Sequence, residues 1–132
     1  MIIIPCFTAP SRIHGTGLFA SSFVPKGSVV WKFDPVFDIV ISPEAFEALP
    51  EGVRHDVENY SYRPEPGGPF IFESTLGRYM NHSPRPNVDY SRHDHGIALC
   101  DIPAGEELTC DYRQILADWQ HLDHVVHDGS GR

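Results

Sequence analysis

The sequence lacks an apolar run long enough to cross a bilayer, because a spanning helix needs about 18 or more apolar residues. The stretch 1–5 (MIIIP) is too short for the core of a signal peptide, and it has no basic flank. We therefore expect a cytoplasmic protein with no membrane partner. Residues 2–4 are expected to form the buried edge of a first strand.

Cysteine is scarce: Cys6, Cys100 and Cys110 are the three in the chain, and they are scattered without CxxC or CxC spacing. An odd count without a pattern argues against a disulfide framework and against a structural zinc site. We expect reduced, buried thiols and no bound metal.

Basic residues are also few, with 10 Lys and Arg against 18 Asp and Glu, for a formal net charge of −8. This balance opposes direct binding to nucleic acid, which needs a basic face. An acidic surface attracts a basic partner such as a Lys/Arg-rich protein segment, but it also serves simple solubility. The charge alone leaves both interpretations open.

Proline and glycine are plentiful, with 12 and 11 residues, and they divide the chain into short pieces. The length of 132 residues suits one domain, and the pattern predicts a β-rich α+β fold. Ser42 and Pro43 predict a helix start, as N-cap and first helical residue. Apolar residues at helical spacing predict an amphipathic C-terminal helix over 113–126. Trp119 on that helix leaves dimerisation open.

Three segments carry residue types suited to a binding site. Residues 11–20 (SRIHGTGLFA) place two glycines before a strand, which suits either a hairpin turn or a backbone approached closely by a ligand. Residues 77–87 (GRYMNHSPRPN) hold a polar Asn-His-Ser run that needs hydrogen-bond partners if buried. Residues 101–112 (DIPAGEELTCDY) end in a tyrosine that suits either a cleft or the surface.

Together and in this order, the three segments resemble the SET-domain protein-lysine methyltransferase family. The resemblance implies several small curved sheets with a pseudoknot, a short helical insert and a C-terminal helix. It implies that 1–112 form the SET core and that 113–132 complete the domain. The family's zinc-binding flanks have no counterpart here: Pro84 stands where many members have a cysteine, and the Cys-rich tail is missing.

The resemblance also implies the function, which is methyl transfer from S-adenosylmethionine to a lysine ε-amine. Tyr112 is expected to be the catalytic tyrosine. The protein substrate is expected to be basic, and a homodimer is possible. The residues expected to bind the cofactor are Gly15, Thr16 and Gly17, through their backbone, and Tyr79, Asn81 and His82.

Two positions of the expected lysine channel depart from the family pattern. Phe33 stands where a tyrosine is common, and Cys110 stands where Phe or Tyr is common. Cys110 bears on how many methyl groups fit, and loss of the hydroxyl at Phe33 weakens control of the amine. These departures favour the alternative hypothesis, a non-catalytic SET-like module that binds the cofactor or a protein partner.

Overall fold

The computed structural model describes residues 1–117, which form short strands in three small sheets beside two helices. The strands are β1 (Cys6–Pro10), β2 (Thr16–Ala20), β3 (Val29–Lys32), β4 (Asp38–Ile41), β5 (Ser61–Tyr62), β6 (Phe70–Glu73), β7 (Asn81–His82), β8 (Val88–Asp89), β9 (His95–Ala98) and β10 (Glu107–Cys110). The helices are α1 (Pro43–Glu47) and α2 (Glu51–Tyr60). This composition confirms the β-rich α+β fold.

The sheets connect parts of the chain that lie far apart in sequence. One has the order β1-β2-β10-β7, a second β3-β9-β8, and a third β4-β6-β5. All pairs are antiparallel except β10 with β7, which run parallel. That pair sets the Asn-His-Ser segment beside the Glu-Glu-Leu segment, an adjacency that the expected pseudoknot requires.

The two helices form the insert between β4 and β5. Ser42 caps α1, since its hydroxyl accepts a hydrogen bond from the amide of Ala45 at 3.1 Å. Phe46 of α1 stacks on Phe70 of β6, with ring centroids 4.2 Å apart. Val57 is the buried residue of α2. The insert is thereby packed against the third sheet, and the helix start predicted from Ser42 and Pro43 is confirmed.

The core lies where the sheets meet. Leu18, Val30, Ile102 and Leu108 are fully buried, and they come from three different parts of the chain. Trp31 of β3 is buried beside them, and its ring makes edge contacts with neighbouring tyrosines. This aromatic part of the core forms a wall of the site described below.

The structure corrects several expectations. Residues 2–4 form only an isolated bridge between Ile2 and Trp31, and the first strand begins after Pro5, which has no N–H to donate. Cys100 is exposed in a turn rather than buried, whereas Cys110 is buried and Cys6 is intermediate. No helix within residues 1–117 is long and apolar enough to cross a membrane.

The expected C-terminal helix does not begin at residue 113. Residues 112–114 form a 3-10 helix, and Leu116 then makes a parallel bridge with Arg63. The amide of Arg63 donates to the carbonyl of Ile115 at 2.9 Å, and the amide of Ala117 donates to the carbonyl of Arg63 at 2.8 Å, so this segment pairs with the residue that follows β5. The rest of the expected helix, with Trp119, lies outside the described residues, and dimerisation stays a prediction.

Candidate active site

The three segments singled out in the sequence meet along the β2-β10-β7 part of the first sheet. Leu108 of β10 pairs with Leu18 of β2, and Thr109 of β10 pairs with Asn81 of β7. Strand β10 is therefore central, with one segment on each side. Because a strand of two polar residues has little local preference for pairing, the contact with β10 positions Asn81 and His82.

Glu107 ties the three segments together by its side chain. Its carboxylate accepts from the Ser11 hydroxyl, at 2.9 Å to Oε1 and 2.8 Å to Oε2. Oε2 also accepts from Asn81 Nδ2 at 3.0 Å. The same amide donates to the carbonyl of His14 at 2.9 Å. Hydrogen bonds to a carboxylate are stronger than neutral ones, so this network fixes the glycine turn against β7 and β10.

The glycine turn is shaped by these contacts. Gly15 has φ of 44°, a left-handed conformation that side chains disfavour, and it is exposed. Gly17 is buried, and a Cβ added there would lie 2.5 Å from Glu107 Oε2 and 2.9 Å from Ser11 Cβ. Gly17 thus makes room for the carboxylate, while Gly15 and Thr16 leave an exposed backbone beside Asn81.

Tyr112 is held at two points. Its amide donates to His82 Nδ1 at 3.1 Å, and its hydroxyl donates to the carbonyl of Met80 at 2.6 Å. A nitrogen that accepts from an amide carries no proton, so the neutral His82 ring is protonated at Nε2. The 3.9 Å separation of His82 Nδ1 from Asp111 Oδ1 is therefore not an ion pair through that nitrogen.

A cavity of about 230 Å³ opens beside Tyr112 and Cys110. Its walls are rich in aromatic rings, and Trp31 is in edge contact with two of them, Tyr62 at 5.6 Å and Tyr90 at 5.5 Å between centroids. Burial raises the pKa of the Cys110 thiol, with a smaller contribution from Asp111. The cavity lining thus includes an uncharged thiol and several phenol rings, together with charged side chains such as Glu58 and Arg78.

Asp111 and Arg113 follow Cys110, the last residue of β10, which lines the cavity. Arg113 holds the pKa of Asp111 below its ordinary value, mainly through hydrogen bonds to the carboxylate, the shortest of which is 2.6 Å. The side-chain oxygen of Asp111 also accepts from the Arg113 amide at 3.0 Å and so caps the 3-10 helix. This local pair fixes the backbone on which Tyr112 lies.

The other predicted residues differ in whether they line this cavity. Tyr79 is half-buried and packs edge-on against Tyr60, with centroids 5.7 Å apart, and under the guanidinium of Arg78. Phe33 packs on the core and donates its amide to the carbonyl of Asp94 at 2.9 Å. Cys110 lines the cavity, and Phe33 is not among the described residues that do so. A channel role for Phe33 stays a prediction.

Sequence reasoning missed several residues of the cavity wall. The cavity wall also contains Tyr62, Glu73, Arg78 and Tyr90. Arg78 lies within the second segment, but the other three belong to no polar cluster in the sequence. The one signal available for Glu73 was a carboxylate ending the apolar run FIFE. Within residues 1–117 no cluster of three metal-binding side chains occurs.

Comparisons with known proteins agree with this architecture. The family model of the SET domain matches residues 15–113. The chain is 30% identical over 126 residues to histone-lysine N-methyltransferase 2D of Homo sapiens, and equally to that of Mus musculus. Each alignment covers 87% of this chain but 2% of the relative, so the chain spans a very small part of those proteins.

Two solved structures share the fold. One is a humanized mutant of the Chaetomium thermophilum Polycomb Repressive Complex 2 bound to an inhibitor, with a TM-score of 0.62 and 23% identity, covering 89% of this chain and 16% of that chain. The other is a ctPRC2 complex, with a TM-score of 0.59 and 24% identity, covering 83% of this chain and 14% of that chain. At this identity the similarity concerns the fold alone.

Proposed function

Because the chain belongs to the SET-domain family, we propose that it transfers a methyl group from S-adenosylmethionine to a lysine ε-amine of a protein. The observation that carries the proposal is that three segments meet along one sheet, and that the second and third of them also line the cavity. Glu107 links Ser11 to Asn81, and the parallel strand pair brings His82 to Tyr112. The cavity beside Tyr112 is where the amine would react.

The residues around Asn81 fit the cofactor's polar groups. The three acceptors near Nδ2 fix which end of the amide is nitrogen. Asn81 Oδ1 accepts no hydrogen bond from the part of the chain that the structure describes, so it can receive one from the cofactor's ammonium. Gly15 and Thr16 are exposed and adjoin this network, since the Thr16 carbonyl accepts from Asn81 Nδ2 at 3.4 Å. When bound, the cofactor supplies an electrophilic methyl group on a sulfonium centre.

Tyr112 orients the attacking amine rather than acting as a strong base. Its hydroxyl proton is directed to the Met80 carbonyl, and a hydroxyl oxygen that donates can still accept from an amine. A lysine amine has an ordinary pKa of about 10.4, and an aromatic cavity that excludes water favours its neutral form. Alignment of amine and methyl in a dry site supplies the rate enhancement.

The proposed substrate is a basic protein. Support comes from the net charge of −8 and from Glu58, an exposed carboxylate at the cavity. The curated relatives are named as histone-lysine methyltransferases, which makes lysine-rich histones a suitable test protein. Opposite charge steers a basic partner towards the cavity before any specific contact forms.

A second candidate is a module that binds the cofactor without turnover. It is favoured by Phe33, which carries no hydroxyl and packs on the core. The enzyme is favoured by the retained Asn81, His82 and Tyr112, the last of which is held at two points and lines the cavity.

Label transfer separates the two candidates. Calorimetry with S-adenosylmethionine measures binding, and incubation with tritiated cofactor and core histones measures transfer. We expect binding together with label in Nε-methyllysine after hydrolysis of the protein. Binding without label would refute the enzyme, and label in a small-amine filtrate would refute the protein substrate.

A further inference from the structure

Glu73 is a buried carboxylate, and within the described residues only one of its two oxygens has hydrogen-bond partners. It ends β6, is 4% exposed and lines the cavity. Oε1 accepts from the amide and the hydroxyl of Thr75, both at 2.6 Å. Oε2 is buried without a hydrogen-bond partner within residues 1–117. A buried charged oxygen left unpaired costs free energy, so the site is incomplete as it stands.

Tyr62 repeats the pattern on the same cavity. Its hydroxyl is buried and has no hydrogen-bond partner within the described residues. Burial raises the pKa of this phenol, with smaller contributions from Asp38 and Glu73, so the hydroxyl stays protonated. Trp31 packs edge-on against the Tyr62 ring and keeps it in place. Three residues with an unsatisfied buried oxygen within the described part of the chain, Ser61, Tyr62 and Glu73, therefore line one aromatic cavity.

The space for the Glu73 carboxylate depends on Gly77. A Cβ added at Gly77 would collide with Glu73 Oε2 and would lie 3.4 Å from Trp31 Cδ1. Gly77 itself lines the cavity. The absence of a side chain at this position leaves room for the carboxylate oxygen beside Gly77.

A carboxylate among aromatic rings is a receptor for an organic cation. The carboxylate accepts hydrogen bonds from an ammonium, and the faces of Trp and Tyr rings attract its charge. We propose that Glu73 and Tyr62 anchor the ε-ammonium of the substrate lysine as it enters the cavity, which deepens and rests on the proposed function. Glu73 is then a substrate-anchoring residue that selects a cationic side chain. The anchored ammonium lies in the cavity that Tyr112 and Cys110 also line, and it loses a proton to solvent before the neutral amine attacks the methyl group.

The test uses n-butylammonium as a probe for the lysine side chain and n-butanol as its neutral counterpart. Trp31 lines the cavity, so its fluorescence reports binding in a Trp119→Phe background, where it is the only tryptophan. We expect Glu73→Gln to weaken butylammonium binding about 10- to 100-fold, as for a lost charged hydrogen bond, and to leave butanol binding unchanged. An equal loss of both probes, or no loss, would overturn the proposal.

Two further variants keep the test decisive. Glu58→Gln removes an exposed carboxylate of the same cavity and should weaken butylammonium binding by no more than about fivefold. Tyr62→Phe should lower the preference for butylammonium over butanol. This variant tests the proposal independently if Glu73→Gln fails to fold. An unchanged preference in Tyr62→Phe, or an effect of Glu58→Gln as large as that of Glu73→Gln, would contradict the proposed anchor.

The cofactor is itself a cation, so its binding is measured separately. In calorimetry, Glu73→Gln should bind S-adenosylmethionine with an affinity within about twofold of the wild type. A change of that size is well below the one expected for the loss of a charged hydrogen bond. A loss equal to that for butylammonium would assign the carboxylate to the cofactor and overturn the proposal. Glu73-dependent butylammonium binding without label transfer would instead refute the proposed enzyme and leave the cation site standing.

Discussion

Asn81 Nδ2 lies 3.0 Å from Glu107 Oε2, and this contact joins two segments 26 residues apart in the chain. The same carboxylate accepts from the hydroxyl of Ser11. One side chain on the central strand thus fixes the glycine turn and the Asn-His segment relative to each other. The site's geometry depends on Glu107 although this residue need not touch any ligand.

Glu107→Ala should destabilise the fold by about 1–3 kcal/mol, because it leaves the Asn81 amide and the Ser11 hydroxyl without their acceptor. Urea denaturation gives the free energy of unfolding. Glu106→Ala is the matched control, since Glu106 is exposed and should change that energy by no more than about 0.5 kcal/mol. Equal effects of the two variants would show that the network contributes nothing.

Asn81→Ala should weaken the binding of S-adenosylmethionine by about tenfold or more, because it leaves a polar group of the ligand unpaired. Asn87→Ala is the control for structural loss. Asn87 also bridges backbone groups of β10, donating to the carbonyl of Glu107 and accepting from the amide of Thr109, both at 2.8 Å. Calorimetry should show weaker binding for Asn81→Ala alone; a similar loss in both would reduce the role of Asn81 to packing.

The free energy of unfolding should fall as pH rises above about 9. Burial raises the pKa of Cys110 above its ordinary value of 9.0, so the folded state holds the thiol neutral while the unfolded chain ionises. This contribution is full below pH 9.0 and is lost as pH rises towards the folded pKa. Urea denaturation at pH 8 and 10 measures it. Cys110→Ala should reduce the slope between these values, and an unchanged slope would contradict the assignment.

Local signals predicted the parts of the fold that depend on neighbouring residues. Ser42 and Pro43 define the start of α1 by capping chemistry, and the plentiful Pro and Gly predicted a chain divided into short strands. The expected helix from residue 113 failed because Leu116 pairs with Arg63, a contact that helical spacing cannot reveal. Tertiary pairing overrides periodicity there.

The candidate site was predictable only where its residues cluster in sequence. Asn81, His82 and Tyr112 belong to recognisable segments. Tyr62 and Glu73 do not, because they reach the cavity through the third sheet, whose position relative to the first is set by core packing. An unpaired buried oxygen becomes visible only once every neighbouring donor has been located in space.

The most direct test of the account is the initial rate of methyl transfer to core histones by the wild type and by Tyr112→Phe. The account predicts transfer by the wild type and a loss of at least about a hundredfold in Tyr112→Phe, as for other positioned catalytic groups, with S-adenosylmethionine affinity little changed. Tyr60→Phe, at another tyrosine of the cavity, should retain most of the rate. An unchanged rate in Tyr112→Phe would contradict the proposed active site.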